Sequence, residues 1–408
     1  MVKLFYQDAH ITTFEAKVTS CVQQTDGRYR IVLDQTAFFP EEGGQGADAG
    51  TITVWEMTTQ HAQETPQVMG TAACSVFEVL DVQIKDDIIF HVLEAPLTPG
   101  TCVVGQVDWA QRFDYMQQHS GEHILSGLVH ARYGYDNVGF HLGKEEVTLD
   151  FNGSLSLSQL RELELMANRI IWKDLPVKVS FPTSEVLADL AYRSKLELKK
   201  DVRIVEIPDV DVCACCAPHV DTTGQIGLLK VTGLQSHRGG VRINILCGER
   251  AFVSFTAHQD SVTGISQQLS VKQEKVTEGV QHLKEENLKQ RERINQLQAQ
   301  LLQAQTALLP SPQEQSHVVL FTGELDNIAL RNTVNSLCEK YTGYCCLFSG
   351  DDERGYRFII GSATLDCRVA ASLLREQLQA KGGGTAPMVQ GSTTAKQDRI
   401  RTVLAQFN

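Results

Sequence analysis

The feature that most constrains the fold is a long stretch that can be little else than helix. From about residue 255 to 307 the sequence is polar and proline-free. Within it Val276, Val280, Leu283, Asn287, Gln290, Ile294, Leu297, Leu301, Ala304 and Leu308 recur in alternating steps of four and three. That is the seam of a coiled coil, interrupted here by two polar positions. A helix of this length exceeds the ordinary range of about 8–20 residues in a globular core. Leu309-Pro310-Ser311-Pro312 then stops it, because proline lacks the N–H a helix needs. The stretch therefore reads as a coiled-coil linker over 255–312, separating what precedes it from an α/β domain over 313–408. A homodimer or an intramolecular hairpin would bury the seam.

The residues before the linker divide again. Residues 1–105 are β-rich, with short alternating or β-branched runs at Phe14–Val22, Tyr29–Leu33, Ile88–Leu93 and Thr101–Val107. Thr25-Asp26-Gly27 and Pro99-Gly100 supply turns, and the spacing suits a small β-barrel or a curved sheet. Residues 106–254 change to α+β. One helix starts near Arg112. A second runs from about Ser158 to Lys173, with Leu160, Leu163, Ala167, Ile170 and Ile171 at helical period and Ser156 with Gln159 as a capping box. Short strands are expected at 177–181, 203–207, 226–231 and 241–246. The C-terminal domain should hold strands near Val318–Thr322 and Arg357–Gly361, helices near 326–340 and 367–380, and a last helix after Thr394. The fold class is a multidomain α+β chain.

The bulk numbers narrow the class of function. At 408 residues the chain has room for two to four domains of roughly 100–200 residues each. A net charge of −12 argues against a chain-wide nucleic-acid surface, and leaves room for local basic patches. Two exist: Arg193, Lys195, Lys199, Lys200 and Arg203, and then Lys381, Lys396, Arg399 and Arg401. There is no run of about 18 apolar residues and no apolar leader. The expected location is cytoplasmic, with no membrane partner. Eleven irregularly spaced cysteines do not form a disulfide framework, and the cluster Cys213, Cys215 and Cys216 points to metal or thiol chemistry.

Two short segments can hold a metal. His119 and His123 lie one helical turn apart, so both imidazoles share a face. Cys215-Cys216-Ala217-Pro218-His219 offers a thiolate and an imidazole on a tight, proline-containing segment. Together they make three imidazoles and one thiolate, an ordinary complement for one Zn2+ per chain. Cys213 reads as packing beside them. His119 to His123 also fits H-x-x-E-H, the motif of a metallopeptidase with Glu122 as base; a structural role for Glu122 is preferred. Glu41-Glu42-Gly43-Gly44-Gln45-Gly46 is glycine-rich without the Lys-Ser/Thr of a P-loop, and suits either a tight turn or backbone brought close to a ligand. Gly382-Gly383-Gly384 through Gly391 reads as backbone exposed to a ligand such as a phosphate-rich strand, or as a flexible loop.

These motifs converge on one family. Leu33-Asp34-Gln35-Thr36-Ala37-Phe38-Phe39-Pro40-Glu41-Glu42-Gly43-Gly44-Gln45 resembles the segment "LDxTxFYPxGGGQ" of the AlaX-type alanyl-tRNA editing proteins, relatives of the editing domain of alanyl-tRNA synthetase. Gln117 to His123 resembles its "QQHTxxH" helix. Cys215 to Val220, followed by Thr223-Gly224-Gln225-Ile226-Gly227, resembles "CxGTHV…TGEIG". The chain departs from the pattern at Ala217 and Pro218, where Gly and Thr are usual, and at Glu42, where Gly is usual. Residues 255–408 resemble the coiled-coil linker and DHH-associated domain of the longer members.

The resemblance implies a zinc-containing editing domain of the threonyl/alanyl-tRNA synthetase type, with His119, His123, Cys215 and His219 as ligands. It implies a trans-acting hydrolase, since no aminoacylation segment precedes residue 1. The substrate it implies is tRNA(Ala) carrying serine or glycine. Thr36 and Gln45 would be the catalytic candidates: Thr36 would sense the serine hydroxyl, and Gln45, with the backbone of Gly43 and Gly44 as substrate-binding residues, would face the terminal adenosine. A non-catalytic zinc module that binds tRNA is the alternative, because four protein ligands are also the count of a structural site.

Overall fold

The computed structural model describes residues 1–56, 73–144, 146–194 and 202–407, and the chain divides into two units, Met1–Val262 and Thr263–Asn408. The first unit opens with seven antiparallel strands: β1 (Thr13–Gln23), β2 (Tyr29–Leu33), β3 (Gly50–Glu56), β4 (Ala73–Val79), β5 (Asp81–Lys85), β6 (Ile88–Leu93) and β7 (Cys102–Val107). Their order is β4-β3-β7-β1-β2-β6-β5. The two edge strands are thus halves of one run broken at Leu80. The sheet therefore curls until its two edges meet in that run. Alternation places Phe14, Ala16 and Val18 inside, against Ile31, Leu33, Phe38, Phe39, Ile52 and Ile89.

His91 is a titratable side chain within that core. His91 has no exposed surface; its Nδ1–H donates to the Ile31 carbonyl at 3.2 Å, and its Nε2 accepts the Thr36 hydroxyl at 2.8 Å. Burial, opposed by the Ile31 carbonyl, pushes its pKa down from 6.5 to about 4. A folded value below the unfolded one means that the neutral ring's contribution is present above pH 6.5 and lost as the pH falls toward 4. At about 1.4 kcal/mol per unit, the loss approaches roughly 3 kcal/mol. Urea midpoints between pH 7 and 4 should fall accordingly, and His91→Gln should flatten the slope. An equal slope in both proteins would show that another group is responsible.

The rest of the first unit is built round α1 (Trp109–Tyr133), capped by Asp108, whose carboxylate accepts from the N–H groups of Ala110 and Gln111. It starts three residues before Arg112. Strands β8 (Asn137–Leu142) and β9 (Val147–Phe151) follow, then α2 (Leu157–Ile171) with the Ser156/Gln159 capping box formed. Next come β10 (Lys178–Ser180), β11 (Ile204–Ile207), β12 (Asp211–Ala214), β13 (Leu229–His237) and β14 (Gly240–Cys247). They form two antiparallel sheets, β8-β9-β14-β13 and β10-β11-β12. Strand β8 is not legible in the sequence, because a bulge between Asn137 and Gly139 breaks its alternation. Helix α1 packs closely on its neighbours at two glycines. A Cβ on Gly121 would lie 2.3 Å from Cys247 Sγ, and one on Gly127 would lie 2.4 Å from the Val210 carbonyl.

The helical stretch consists of two helices. Helix α3 (Gly248–Leu269) stops at Ser270, whose φ of 53° is left-handed, and α4 (Val276–Ala307) restarts after a short turn. Along α4 the seam residues Leu283, Ile294, Leu297 and Leu301 are about half exposed, and Leu302, off the seam, is the buried one. Among the described residues no hairpin covers the seam. The second unit then forms β15 (Val318–Thr322), α5 (Asn327–Cys338), β16 (Cys345–Asp351), β17 (Gly355–Gly361), α6 (Cys367–Leu378), β18 (Lys381–Thr385), β19 (Met388–Thr393) and α7 (Gln397–Leu404). The sheet order is β15-β16-β17-β19-β18. Residues 382–391 are therefore a hairpin and not an irregular loop: strand pairing needs no side chains, and a Cβ on Gly391 would lie 2.3 Å from the Lys381 carbonyl. Lys381, Lys396, Arg399 and Arg401 are all exposed. No helix among the described residues is long and apolar enough to cross a membrane.

Candidate metal centre

The centre lies where the two cores of the first unit meet. Ala217 is buried with the curled sheet, and Val220, three residues on, is buried with α1, α2 and their sheet. The segment between them carries His219. The histidines at 119, 123 and 219 are 2%, 2% and 4% exposed, and Cys215 is partly exposed. Cys215 Sγ is 3.4 Å from His119 Nε2 and 3.3 Å from His219 Nε2. One donor atom from each of the four residues lies within 4.8 Å of the others. Tetrahedral bonds of about 2.0–2.3 Å put ligand atoms about 3.3–3.8 Å apart, so the spacing fits one ion.

Each imidazole is oriented by a partner on its other nitrogen. His119 Nδ1 is 2.9 Å from Gln45 Oε1, His123 Nδ1 is 2.8 Å from Asp211 Oδ2, and His219 Nδ1 is 3.0 Å from Ser120 Oγ. A proton on each Nδ1 satisfies all three contacts and leaves the Nε2 lone pairs for a metal. Charge agrees. Burial would raise the Cys215 thiol, but the imidazoles round it, His119 first, outweigh it and hold the group well below the usual thiol range. Burial pushes His219 down to about 3, so it stays neutral. Burial would also lower His123, yet the Asp211 carboxylate pulls it well above its ordinary value. A thiolate and a carboxylate thus flank a dry pocket that favours a positive charge.

The glycine-rich segment reaches this centre. Glu42 and Gln45 exchange backbone hydrogen bonds at 3.1 Å, with Gly43 at φ 63° and Gly44 at φ 84°. Two consecutive positive φ values define a type I′ hairpin turn, which glycine adopts without steric cost. Glu42 sits just before that pair, which is why a side chain is tolerated there. A Cβ on Gly44 would lie 2.5 Å from the Phe140 carbonyl. The turn delivers Gln45, fully buried, to His119, and Gln45 Nε2 has no partner among the described residues.

Comparison with known proteins bears directly on these motifs. Residues 202–244 match the family model "Threonyl and Alanyl tRNA synthetase second additional domain". The chain is 31% identical to the alanyl-tRNA editing protein AlaX-L of Pyrococcus horikoshii over 61% of this chain and 58% of that one. It is 26% identical to the alanyl-tRNA editing protein Aarsd1 of Rattus norvegicus over 100% of this chain and 98% of that one. The chain is thus similar to the AlaX-type alanyl-tRNA editing proteins and shares a segment with the additional domain of threonyl- and alanyl-tRNA synthetases. It is also 30% identical to the alanine–tRNA ligase of Ignicoccus hospitalis, over 70% of this chain but only 30% of that enzyme. The chain spans less than half the length of the ligases it matches.

Other AlaX-type positions lie differently. Thr36 is fully buried; its hydroxyl donates to His91 and accepts from the Phe38 N–H at 3.1 Å, and no hydrogen bond joins it to the metal quartet among the described residues. Glu122 is buried beside the centre, with Oε1 accepting from Ser126 Oγ at 2.7 Å and Asn137 Nδ2 at 2.6 Å. Cys215 and His219 complete the quartet in place of a third-ligand carboxylate, so the metallopeptidase reading is not carried forward. Arg203 is buried and donates through Nη1 to the carbonyls of Cys215 and Ala217, at 2.9 and 2.8 Å. Arg193 bonds Asp211. These two arginines face inward, so the first basic cluster does not form one phosphate-binding face; Lys195, Lys199 and Lys200 lie outside the described residues. Sequence reasoning missed Asp211 and Ser120, since nothing in their spacing announces a partner for a ring nitrogen, and read Arg193 and Arg203 only as a basic patch.

Proposed function

We propose that this chain is a trans-acting aminoacyl-tRNA editing hydrolase that removes serine from Ser-tRNA(Ala), with Gly-tRNA(Ala) as a second substrate. The centre holds one Zn2+ through His119, His123, Cys215 and His219. The observation that carries the reading is the 2.9 Å contact between Gln45 Oε1 and His119 Nδ1, which joins the glycine-rich turn to the metal quartet.

Bound there, zinc supplies a Lewis acid for an ester carbonyl or for a water. Gln45 has a buried Nε2 still to be satisfied, and a substrate carbonyl is an acceptor for it. Gly43 and Gly44 present bare backbone to the terminal ribose and adenine. Thr36 senses the serine hydroxyl: its oxygen, engaged with His91 and Phe38, keeps one lone pair for a further donor. Alanine lacks that hydroxyl, so a polar pocket rejects it. The tRNA is the partner, with the exposed basic residues of the second unit as candidate phosphate contacts. A second copy of the chain covers the exposed α4 seam, to be tested by the solution mass of the full chain. The protein acts in the cytoplasm.

One panel tests the reading. Wild type should release serine from Ser-tRNA(Ala) and leave Ala-tRNA(Ala) intact, and Thr36→Val should lower the serine-to-alanine rate ratio. An unchanged ratio removes Thr36 from the pocket. Tight binding of tRNA without turnover favours the second reading, a non-catalytic zinc module, which the closed set of four ligands also suits.

A further inference from the structure

The three orienting contacts at the centre are not equivalent. Gln45 and Ser120 are neutral; Asp211 is a carboxylate with a side chain 2% exposed. Asp211 is itself gripped at both oxygens. Arg193 Nε donates to Oδ1 at 2.7 Å and Nη2 to Oδ2 at 2.8 Å, the fork geometry that makes arginine–carboxylate pairs directional. Arg193 is in turn laced to β12: its N–H donates to the Val212 carbonyl at 2.8 Å, and its carbonyl accepts from Ala214 at 2.9 Å. The brace therefore springs from the strand that leads into Cys215, and ends on the ring nitrogen of a ligand carried by α1.

We infer that Asp211, braced by Arg193, is a positioning residue that decides which nitrogen of His123 faces the metal. The inference rests on the zinc reading above. With Nδ1–H held on a fixed carboxylate, the ring presents only Nε2 to the quartet, and the negative partner strengthens it as a donor. Without the brace the ring can rotate or exchange tautomers, and one ligand in four becomes unreliable. His123, Asp211 and Cys213 also cluster closely enough to hold a cation on the Nδ1 side of the ring. That arrangement is disfavoured, since both Asp211 oxygens already carry a guanidinium and a cation there would sit against Arg193.

Zinc affinity by chelator competition, together with nitrogen-15 imidazole spectra of the zinc-loaded full chain, tests this. Wild type should bind one zinc and show His123 protonated at Nδ1. Asp211→Ala should weaken zinc about 10–100-fold, the usual cost of losing an outer partner, and lose that Nδ1–H signature. Asp211→Asn should lose less, because its amide oxygen still accepts. Wild-type affinity and an unchanged His123 spectrum in folded Asp211→Ala overturn the inference. Should that variant not fold, Arg193→Gln keeps the carboxylate and frees its orientation; it should weaken zinc several-fold, and wild-type affinity there overturns the brace. Zinc retained by Cys215→Ala but lost by Asp211→Ala would place the ion on the Nδ1 side and overturn the inference too. A wild-type chain that binds no zinc removes the metal reading itself, an outcome distinct from all of these.

Discussion

Alanine at Cys215 or at His119 should empty the centre of zinc and reduce serine release from Ser-tRNA(Ala) to the uncatalysed rate. Cys215, its thiol held well below the usual range, would be the anionic ligand, so its loss would leave a bound dication among imidazoles alone. His119 is bonded to Gln45, so its loss also frees the buried amide that the glycine-rich turn delivers. Either loss should cost more metal affinity than the roughly 10–100-fold typical of an outer partner. Zinc content by atomic absorption and a deacylation time course read the two effects on the same sample. Metal-free protein that still released serine at the wild-type rate would sink the zinc mechanism while leaving the editing reaction standing.

The second large effect concerns stability. Arg112 and Asp48 have side chains with no exposed surface. Arg112 Nε donates to Asp48 Oδ1 at 2.9 Å, Nη1 to the Ala9 carbonyl at 2.9 Å and Nη2 to the Ala37 carbonyl at 2.6 Å, with a further short contact from Nη2 to Asp48 Oδ2. One guanidinium thus ties α1 to the segment that runs from Thr36 to the glycine-rich turn. Arg112→Met would strand the Asp48 charge in a dry core. Removing one partner of a buried pair costs about 3–5 kcal/mol, whereas replacing both with apolar residues is often close to neutral. Urea unfolding of Arg112→Met should show the first figure, and Arg112→Met with Asp48→Leu should recover much of it. A loss below about 1 kcal/mol in the single variant would mean that Asp48 finds water or another partner.

What could be read directly from the residues follows local rules. The strands Tyr29–Leu33 and Ile88–Leu93, the capping box at Ser156 and Gln159, and the helix carrying His119 and His123 each depend on neighbours a few positions away. The break at Ser270 and the hairpin at 381–393 escaped, because a left-handed residue and a strand of glycines leave no hydrophobic period to detect. Arg193 and Arg203 read as charge on a surface. Only the fold shows that each is turned inward by a carboxylate or by carbonyls waiting for a donor.

By itself the sequence determined the inventory: three imidazoles and a thiolate at metal-binding spacing, a glycine pair able to hold positive φ, and a heptad period interrupted at two places. Ligand type and local spacing are properties of short segments, and short segments carry them intact. The tertiary structure decided which nitrogen of each ring looks inward, which carboxylate holds it there, and that Gln45 rather than Thr36 touches the metal quartet. Those outcomes depend on atoms brought together from positions as far apart as Gln45 and His119 or His123 and Asp211, and no rule of local spacing encodes a contact that only the packing of two cores creates.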